Sequence, residues 1–220
     1  MLRRRTPAWI AYALPMNIVF DFGNVLFEWN PVRLIDEHFP TIAPLPCTPE
    51  IFSQRLINED WLAYDTGLID TETVAARCAP VVGVAAADLQ RFVEQLPHVL
   101  QTIDPTVRLM QALASGKHGA HRVLYLSNMP ILFAEVLEAK YPWIADFHDG
   151  IFSGRVKLVK PDAAIYEHAE HTLNLIPSET LFLDDMTRNV NAARARGWLA
   201  EIISGPQSAH DALVKHGVLR

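Results

Sequence analysis

Four short stretches place chemically capable side chains at or just after apolar runs. "NIVFDFGNVL" drives Ile18, Val19 and Phe20 into Asp21; "LYLSN" ends on Ser127 and Asn128; "LFLDD" ends on Asp184 and Asp185; "KPDAAIY" begins at Lys160. The set is a nucleophile, a hydroxyl, a cation and an acid pair. Taken singly, each has a plain structural explanation. Asp21 ahead of Phe22-Gly23 suits an Asx-turn, Ser127 or Asn128 suits a helix cap before Pro130, Asp184 or Asp185 suits the cap of a following helix, and Lys160-Pro161 suits a surface loop. Taken together they require a scaffold that brings four distant positions to one edge.

The apolar runs that carry them describe that scaffold. Segments 17–21, 122–127, 180–184 and 199–204 are short, apolar and end in polar residues, which is how parallel strands covered on both faces read. Helical segments lie between them with start signals, Asp104 as an N-cap before Pro105 and a proline at the first turn, Pro130, before "ILFAEVLEAKY". Alternation of strand and helix predicts an α/β fold, a doubly wound, Rossmann-like parallel sheet. In such a sheet ligands bind beyond the carboxyl ends of the strands, where the strand order reverses.

About a hundred residues separate the first two strands, far more than a crossover needs. Segments 31–39, 49–64, 71–78 and 86–96 carry apolar residues at helical spacing, so an inserted helical cap over residues 31–99 is expected, with the core formed by 16–30 and 100–220. "PTIAPLPCTPE" reads as the loop between the first two cap helices.

The motifs "DFGNVL", "LYLSN", "KPDAAIY" and "LFLDDMTRNVNAARARGW" resemble the four sequential motifs of the haloacid dehalogenase (HAD) superfamily of hydrolases, over roughly residues 16–205. The long helical insertion resembles that superfamily's C1-type cap. The last motif is the most specific, with the acid pair followed by Asn189, Ala192, Ala193 and Gly197. The resemblance implies a Mg²⁺-dependent phosphatase that acts on a small phosphorylated metabolite through an aspartyl-phosphate. Asp21 would be the nucleophile, with Ser127 and Lys160 stabilising the transferring group. Asp21, Asp184, Asp185 and the backbone carbonyl at Gly23 would hold the metal. Asn128, with Trp61, Tyr64 and Asp65 of the cap, would face the substrate, although packing within the cap explains Trp61 equally well.

Gly23 departs from the family pattern. Most phosphatases of the superfamily carry a second aspartate there as general acid and base. Glycine keeps the carbonyl ligand and loses the proton donor, a loss of about 10²–10⁴-fold in rate unless something replaces it. The Asp-x-Gly-Asn-Val variant is similar to a subgroup that includes phosphatases of α-glucose 1-phosphate, which favours a sugar phosphate as substrate.

The alternatives on the same residues are a metal-free 2-haloacid dehalogenase, which needs no acid but typically lacks the acid pair, and a catalytically weak phospho-accepting or binding protein. Receiver-type signalling modules carry the acid pair before the acceptor, the reverse of the order here.

Composition excludes some partners. The 220 residues are half hydrophobic with a formal net charge of −6, which disfavours nucleic acid and anionic membranes as partners. No apolar run approaches a membrane span. Two cysteines, Cys47 and Cys78, without metal-site spacing suggest a reducing cytoplasm. The opening "MLRRRTPAWIAYALP" lacks a clear cleavage site, so residues 1–15 read as an N-terminal extension, disordered or a non-native start, with Met16 as the functional start. His168 and His171 share a helix face but read as solvated, and Asp146, His148 and Asp149 read as the border of a short strand or hairpin. Oligomeric state has no signature in the sequence.

Overall fold

The computed structural model describes residues 15–219, so the expectation of an N-terminal extension lies, apart from Pro15, outside the described residues. The chain runs through β1 (Asn17–Phe20), then α1 (Pro31–His38), α2 (Pro49–Leu56), α3 (Glu59–Asp65), α4 (Thr71–Val82) and α5 (Ala86–Val99). It returns through α6 (Asp104–Ala114) to β2 (Arg122–Ser127), α7 (Ile131–Lys140), β3 (Asp149–Phe152) and α8 (Ser153–Val156). It finishes with α9 (Ala163–Thr172), β4 (Thr180–Asp184), α10 (Thr187–Ala195), β5 (Leu199–Ile202) and α11 (Pro206–Lys215).

The five strands form one sheet in the order β3-β2-β1-β4-β5, and every pairing is parallel. Strand alternation sorts the side chains onto two covered faces. Ile18, Phe20, Leu181 and Leu183 pack in one cluster with Met110 and Leu113 of α6 and Ala209 and Leu213 of α11. Val19, Leu124, Leu126 and Phe182 pack in the other with Ile165 and Tyr166 of α9 and Val190 and Ala193 of α10. Burial on both sides explains why these strands read as continuous apolar runs. From central β1 the chain crosses to β2 on one side and later places β4 on the other. The switch point therefore lies at the carboxyl ends of β1, β2 and β4, where Asp21, Ser127 and Asp184 stand.

The chain leaves the sheet and returns to it at one place. After β1, the amides of Leu26 and Phe27 both donate to the Phe22 carbonyl at 2.9 Å, which folds residues 22–27 into a tight loop. The outgoing and returning segments then pair, Glu28 N–H donating to Gln101 O at 2.9 Å and Ile103 N–H to Leu26 O at 2.7 Å. All five helices between these crossings are anchored beside Asp21.

Several boundaries differ from the sequence expectation. Segment 49–64 is two helices, because Asn58 leaves the helical conformation and its Oδ1 accepts from the amides of Asp60 and Trp61 at 2.8 and 3.2 Å, capping α3. Helix α4 runs on to Val82 and ends at Gly83 (φ +89°), while α5 continues to Val99. Asp104 is the first residue of α6 rather than its N-cap, and Pro130 precedes α7 as its N-cap rather than entering the first turn. β3 has no strong sequence signal, since Asp149 and Gly150 are poor strand formers. Gly150 is required there by its neighbour: a Cβ at this position would fall 2.2 Å from the Tyr125 ring.

Phe182 on β4 is fully buried and packs edge-to-face on Tyr166 and Trp198, with ring centroids 6.2 and 6.0 Å apart. Phe182→Ala should lower the unfolding free energy by about 3–5 kcal/mol. Urea denaturation followed by fluorescence measures the loss, and a change under about 1 kcal/mol would mean that the site collapses around the smaller side chain.

Candidate active site

The site is built around a buried lysine. Lys160 is 1% exposed, and its Nζ donates to Asp184 Oδ2 at 2.6 Å, to the Leu126 carbonyl at 2.9 Å, and lies 3.0 Å from Asp21 Oδ1. Three acceptors match its three donors. Burial works to lower the lysine pKa, but the attraction of Asp184 and Asp21 outweighs it and the net shift is upward, so the group is an ammonium. Its backbone is fixed as well. Asn128 Nδ2 donates to Lys160 O at 3.0 Å and Lys160 N–H donates to Asn128 Oδ1 at 2.8 Å. Asn128 lines the cavity, and its amide is occupied in holding Lys160.

Asp21 follows β1 and is tied into the sheet by its N–H, which donates to Leu183 O at 2.9 Å. Its Oδ1 accepts from Phe22 N–H at 2.7 Å, the turn interaction that the residue type alone suggests. Burial pushes its pKa up to about 7; Lys160 and the Ser127 hydroxyl act against that shift, and Asp184 adds to it. The carboxylate therefore sits in a place that penalises its charge, and further positive charge nearby would favour its ionised form.

Asp184 has no exposure at all. Its Oδ1 accepts from Met186 N–H at 2.8 Å and from Asn189 Nδ2 at 3.0 Å, so it does turn the chain into α10 as well as pairing with Lys160. Asp185 is half-buried, and burial raises its pKa. Asn24 orients it: Asn24 Nδ2 donates to Asp185 Oδ2 at 2.9 Å while Asn24 Oδ1 accepts from Trp29 N–H at 3.0 Å. Asn24 adopts φ +54°, a conformation that asparagine tolerates better than most residues.

One carboxylate oxygen from each of Asp21, Asp184 and Asp185 lies within 4.8 Å of the others. This is an all-oxygen donor set of three carboxyl groups against one ammonium, and among the described residues the Asn189 Oδ1 acceptor beside it is buried without a hydrogen-bond partner. Hard oxygen donors, excess negative charge and an unpaired acceptor fit Mg²⁺. The Gly23 carbonyl lies in the same loop, and Gly23 lines the cavity.

A cavity of about 270 Å³ opens over these groups. Its floor holds Asp21, Gly23, Asn24, Ser127, Lys160 and Asp185, and its walls are Trp29, Ile57, Trp61, Leu100, Met129 and Phe133. Trp61 does both things its residue type allows, lining the cavity and packing on Trp29 and Phe133 at 6.1 and 6.4 Å. Asp65 also lines the cavity. Tyr64 does not: it is buried, its hydroxyl pairs with Thr71 Oγ1 at 2.9 Å, and its ring packs on Phe133. The expectation of a substrate contact at Tyr64 is corrected by helix geometry. Trp61 and Asp65 stand four residues apart on one face of α3, and Tyr64 lies about 100° round from Asp65.

The histidines and the 146–149 cluster stay outside the site. Among the described residues His168 bonds only Thr172, and His171 is exposed. Asp146 accepts from Gln111, His148 sits against the Val123 backbone, and Asp149 caps Gly150 N–H. Arg188 and the aromatic wall were not legible beforehand. Arg188 lies inside the quoted "DDMTRNV" run, whereas Trp29, Ile57 and Phe133 come from segments with no motif. Among the described residues no helix is long and apolar enough to cross a membrane.

No family model matches the chain. Among curated proteins it is 29% identical over 181 residues to the sesquiterpene phosphatase astK of Aspergillus oryzae, covering 81% of this chain and 85% of that protein. It is 26% identical over 182 residues to the drimenol cyclase drtB of Aspergillus calidoustus, covering 82% of this chain and 32% of that much longer protein. Among solved structures, a HAD family enzyme of Bacteroides thetaiotaomicron in complex with magnesium and inorganic phosphate aligns with a TM-score of 0.67 at 20% identity, over 86% of this chain and 93% of that one. L-2-haloacid dehalogenase of Xanthobacter autotrophicus, with chloropropionic acid covalently bound, aligns at 0.63 with 16% identity, over 94% and 85%. The α/β fold is that of the HAD-family enzymes.

If Asn24 holds Asp185 as a metal ligand, Asn24→Ala should weaken Mg²⁺ binding about 10- to 100-fold. Titration calorimetry with MgCl₂ reads this without any substrate, and an unchanged affinity would mean that the Asn24 contact does not position a metal ligand.

Proposed function

We propose that the protein is a Mg²⁺-dependent phosphomonoester hydrolase that works through an aspartyl-phosphate on Asp21. The observation that carries this reading is the convergence of Asp21, Asp184 and Asp185 around one point, with Lys160 buried between the first two. Bound there, Mg²⁺ would offset the repulsion between the Asp21 carboxylate and a phosphate dianion and polarise a phosphoryl oxygen.

The chain's own groups supply the rest. Asp21 attacks phosphorus, splitting one difficult hydrolysis into two easier steps. Lys160 and Ser127 sit beside Asp21, where an ammonium and a hydroxyl stabilise charge that builds on the transferring group. Asp184 fixes Lys160, and Asn24 and Asn189 fix the acid pair. A metal-free displacement of halide would find three clustered carboxylates a liability, which disfavours the dehalogenase alternative. A binding protein without turnover would not need a nucleophile in a desolvated position.

The walls point to the leaving group. Trp29, Ile57, Trp61, Leu100 and Phe133 offer apolar surface and few partners for a ring of hydroxyls, so we read the substrate as a phosphate ester with an apolar body, of the sesquiterpenoid class that the name of the Aspergillus oryzae relative records. Each methylene buried against such a wall contributes about 0.8 kcal/mol. A glucose phosphate would find Asp65 and Arg188 as polar partners but would set its remaining hydroxyls against aromatic carbon.

Phosphate release from farnesyl monophosphate, glucose 1-phosphate, a nucleoside monophosphate and an aryl phosphate tests both parts. The apolar ester should show the highest kcat/KM, at least about tenfold above glucose 1-phosphate, a difference of roughly 1.4 kcal/mol. The opposite ranking would restore the sugar phosphate. Asp21→Asn should abolish turnover with the fold intact, and EDTA should remove activity that Mg²⁺ restores. Full activity in excess chelator, with halide release from a 2-haloacid, would establish the metal-free alternative.

A further inference from the structure

Gly23 leaves a chemical gap that the cavity itself fills. Cleavage of a P–O bond in an alkyl phosphate expels an alkoxide, which needs a proton as it departs. The cavity-lining groups that carry exchangeable protons can be taken in turn. Lys160 has its three N–H donors matched by Asp184, Asp21 and the Leu126 carbonyl. Asp21 is the nucleophile, and Asp185 is held by Asn24 within the carboxylate cluster. Ser127 lies against Asp21. Arg188 carries a guanidinium, which does not give up a proton in proteins. Asp65 remains, and among the described residues its carboxyl makes no hydrogen bond.

The fold places Asp65 there deliberately. It is the last residue of α3, and its main-chain carbonyl accepts from Ser153 Oγ at 2.5 Å. Ser153 is wholly buried, and the same Oγ accepts from Met129 N–H at 2.8 Å, two residues after Ser127. One hydroxyl thus joins the end of α3 to the loop that follows β2. Two glycines allow the approach. A Cβ on Gly67, which adopts φ +71°, would fall 2.2 Å from the Gly154 carbonyl oxygen, and a Cβ on Gly154 would fall 2.8 Å from the Met129 carbonyl. Backbone packs on backbone at this junction, so the position of Asp65 over the catalytic edge is set by main chain rather than by a mobile loop.

We propose that Asp65 is the general acid and base of the reaction, delivered from the inserted helices to do what no side chain can do at Gly23. This rests on the phosphatase reading above. As an Asp21 oxygen bonds to phosphorus, the P–O bond to the leaving group breaks, its electron pair goes to the leaving oxygen, and that oxygen takes the Asp65 proton. The Asp65 carboxylate then accepts a proton from water as the water oxygen attacks phosphorus. The bond from Asp21 to phosphorus breaks, returning the Asp21 carboxylate and inorganic phosphate. The sum is ester plus water to alcohol plus phosphate. Burial and the Asp21 charge push the Asp65 pKa up to about 8, against the pull of Arg188, so the resting group carries the proton it has to donate.

The test compares leaving groups. In Asp65→Asn, kcat/KM for an alkyl monophosphate should fall about 10²–10⁴-fold, while p-nitrophenyl phosphate, whose phenolate departs unaided, should change less than about tenfold. Gly23→Asp added to Asp65→Asn should restore alkyl turnover, because the nearest atom to a Cβ at Gly23 is Trp29 Cβ at 3.7 Å and a side chain can be built there. Equal losses on both substrates, with no rescue, would make Asp65 a binding or structural residue and overturn the proposal. Undiminished alkyl turnover in Asp65→Asn would overturn it as well. Wild-type protein that releases phosphate from neither ester in Mg²⁺ would instead overturn the phosphatase reading itself.

Discussion

The structure turns on the pair of contacts that the Lys160 ammonium makes with Asp21 and Asp184, at 3.0 and 2.6 Å. A buried carboxylate is costly unless paired, and here two stand at the ends of adjacent strands with almost no exposure. A lysine arriving from a third segment, its backbone clamped by Asn128, makes that arrangement tolerable. Much of the local sequence serves this contact. Asn189 satisfies Asp184, Tyr166 donates to the Asn189 carbonyl at 2.9 Å, and α9 and α10 are thereby held together behind the sheet. The site is not fully neutralised by lysine alone, and that excess of carboxylate is what would favour a divalent cation there.

The polar edge of the sheet was legible in the sequence because it coincides with the strand ends. An apolar run marks a doubly covered strand, and the first polar residue after it must stand at the sheet's carboxyl edge. Asp21, Ser127 and Asp184 follow from that rule, and Lys160 follows from its motif. β3 escaped because its pairing depends on Gly150 making room for Tyr125, a tertiary demand that leaves only "DGIF" as a local trace. The division of 49–64 at Asn58 escaped for a related reason: the apolar period continues across the break, and only the asparagine signals a new cap.

The inserted helices were readable as helices but not as a surface. Trp61 and Asp65 share a face of α3 whose orientation depends on where α3 is pinned, and the pin is Ser153 with Gly67 and Gly154. None of these three carries a catalytic signature, and two are glycines whose meaning appears only when the opposing backbone is in place. Tyr64 shows the cost of reading such a face without its anchor: one residue away from Asp65, it serves the packing of the insertion against Phe133. The apolar wall is assembled the same way, Trp29 from the outgoing crossing, Leu100 from the returning one, Ile57 from the break between α2 and α3, and Phe133 from α7.

A proton donor on α3 has a different physical character from one at position 23. At position 23 it would ride on the same loop as the nucleophile and share its fixed geometry, whatever the rest of the molecule did. On α3 it depends on the junction between the insertion and the core, where a single hydroxyl bridges Asp65 and Met129. The same helix face supplies Trp61 to the cavity wall. The group that would protonate the leaving oxygen and the surface that would hold the leaving group's body are therefore mounted on one element, so a leaving group that packs against Trp61 would be brought toward Asp65. Selectivity and proton transfer would then be coupled through α3, whereas Lys160, Asp21 and the acid pair would be indifferent to what the phosphate is attached to. On the proposed reading, that separation would let an edge suited to any phosphate ester gain a preference through exchange of a few side chains on the inserted helices.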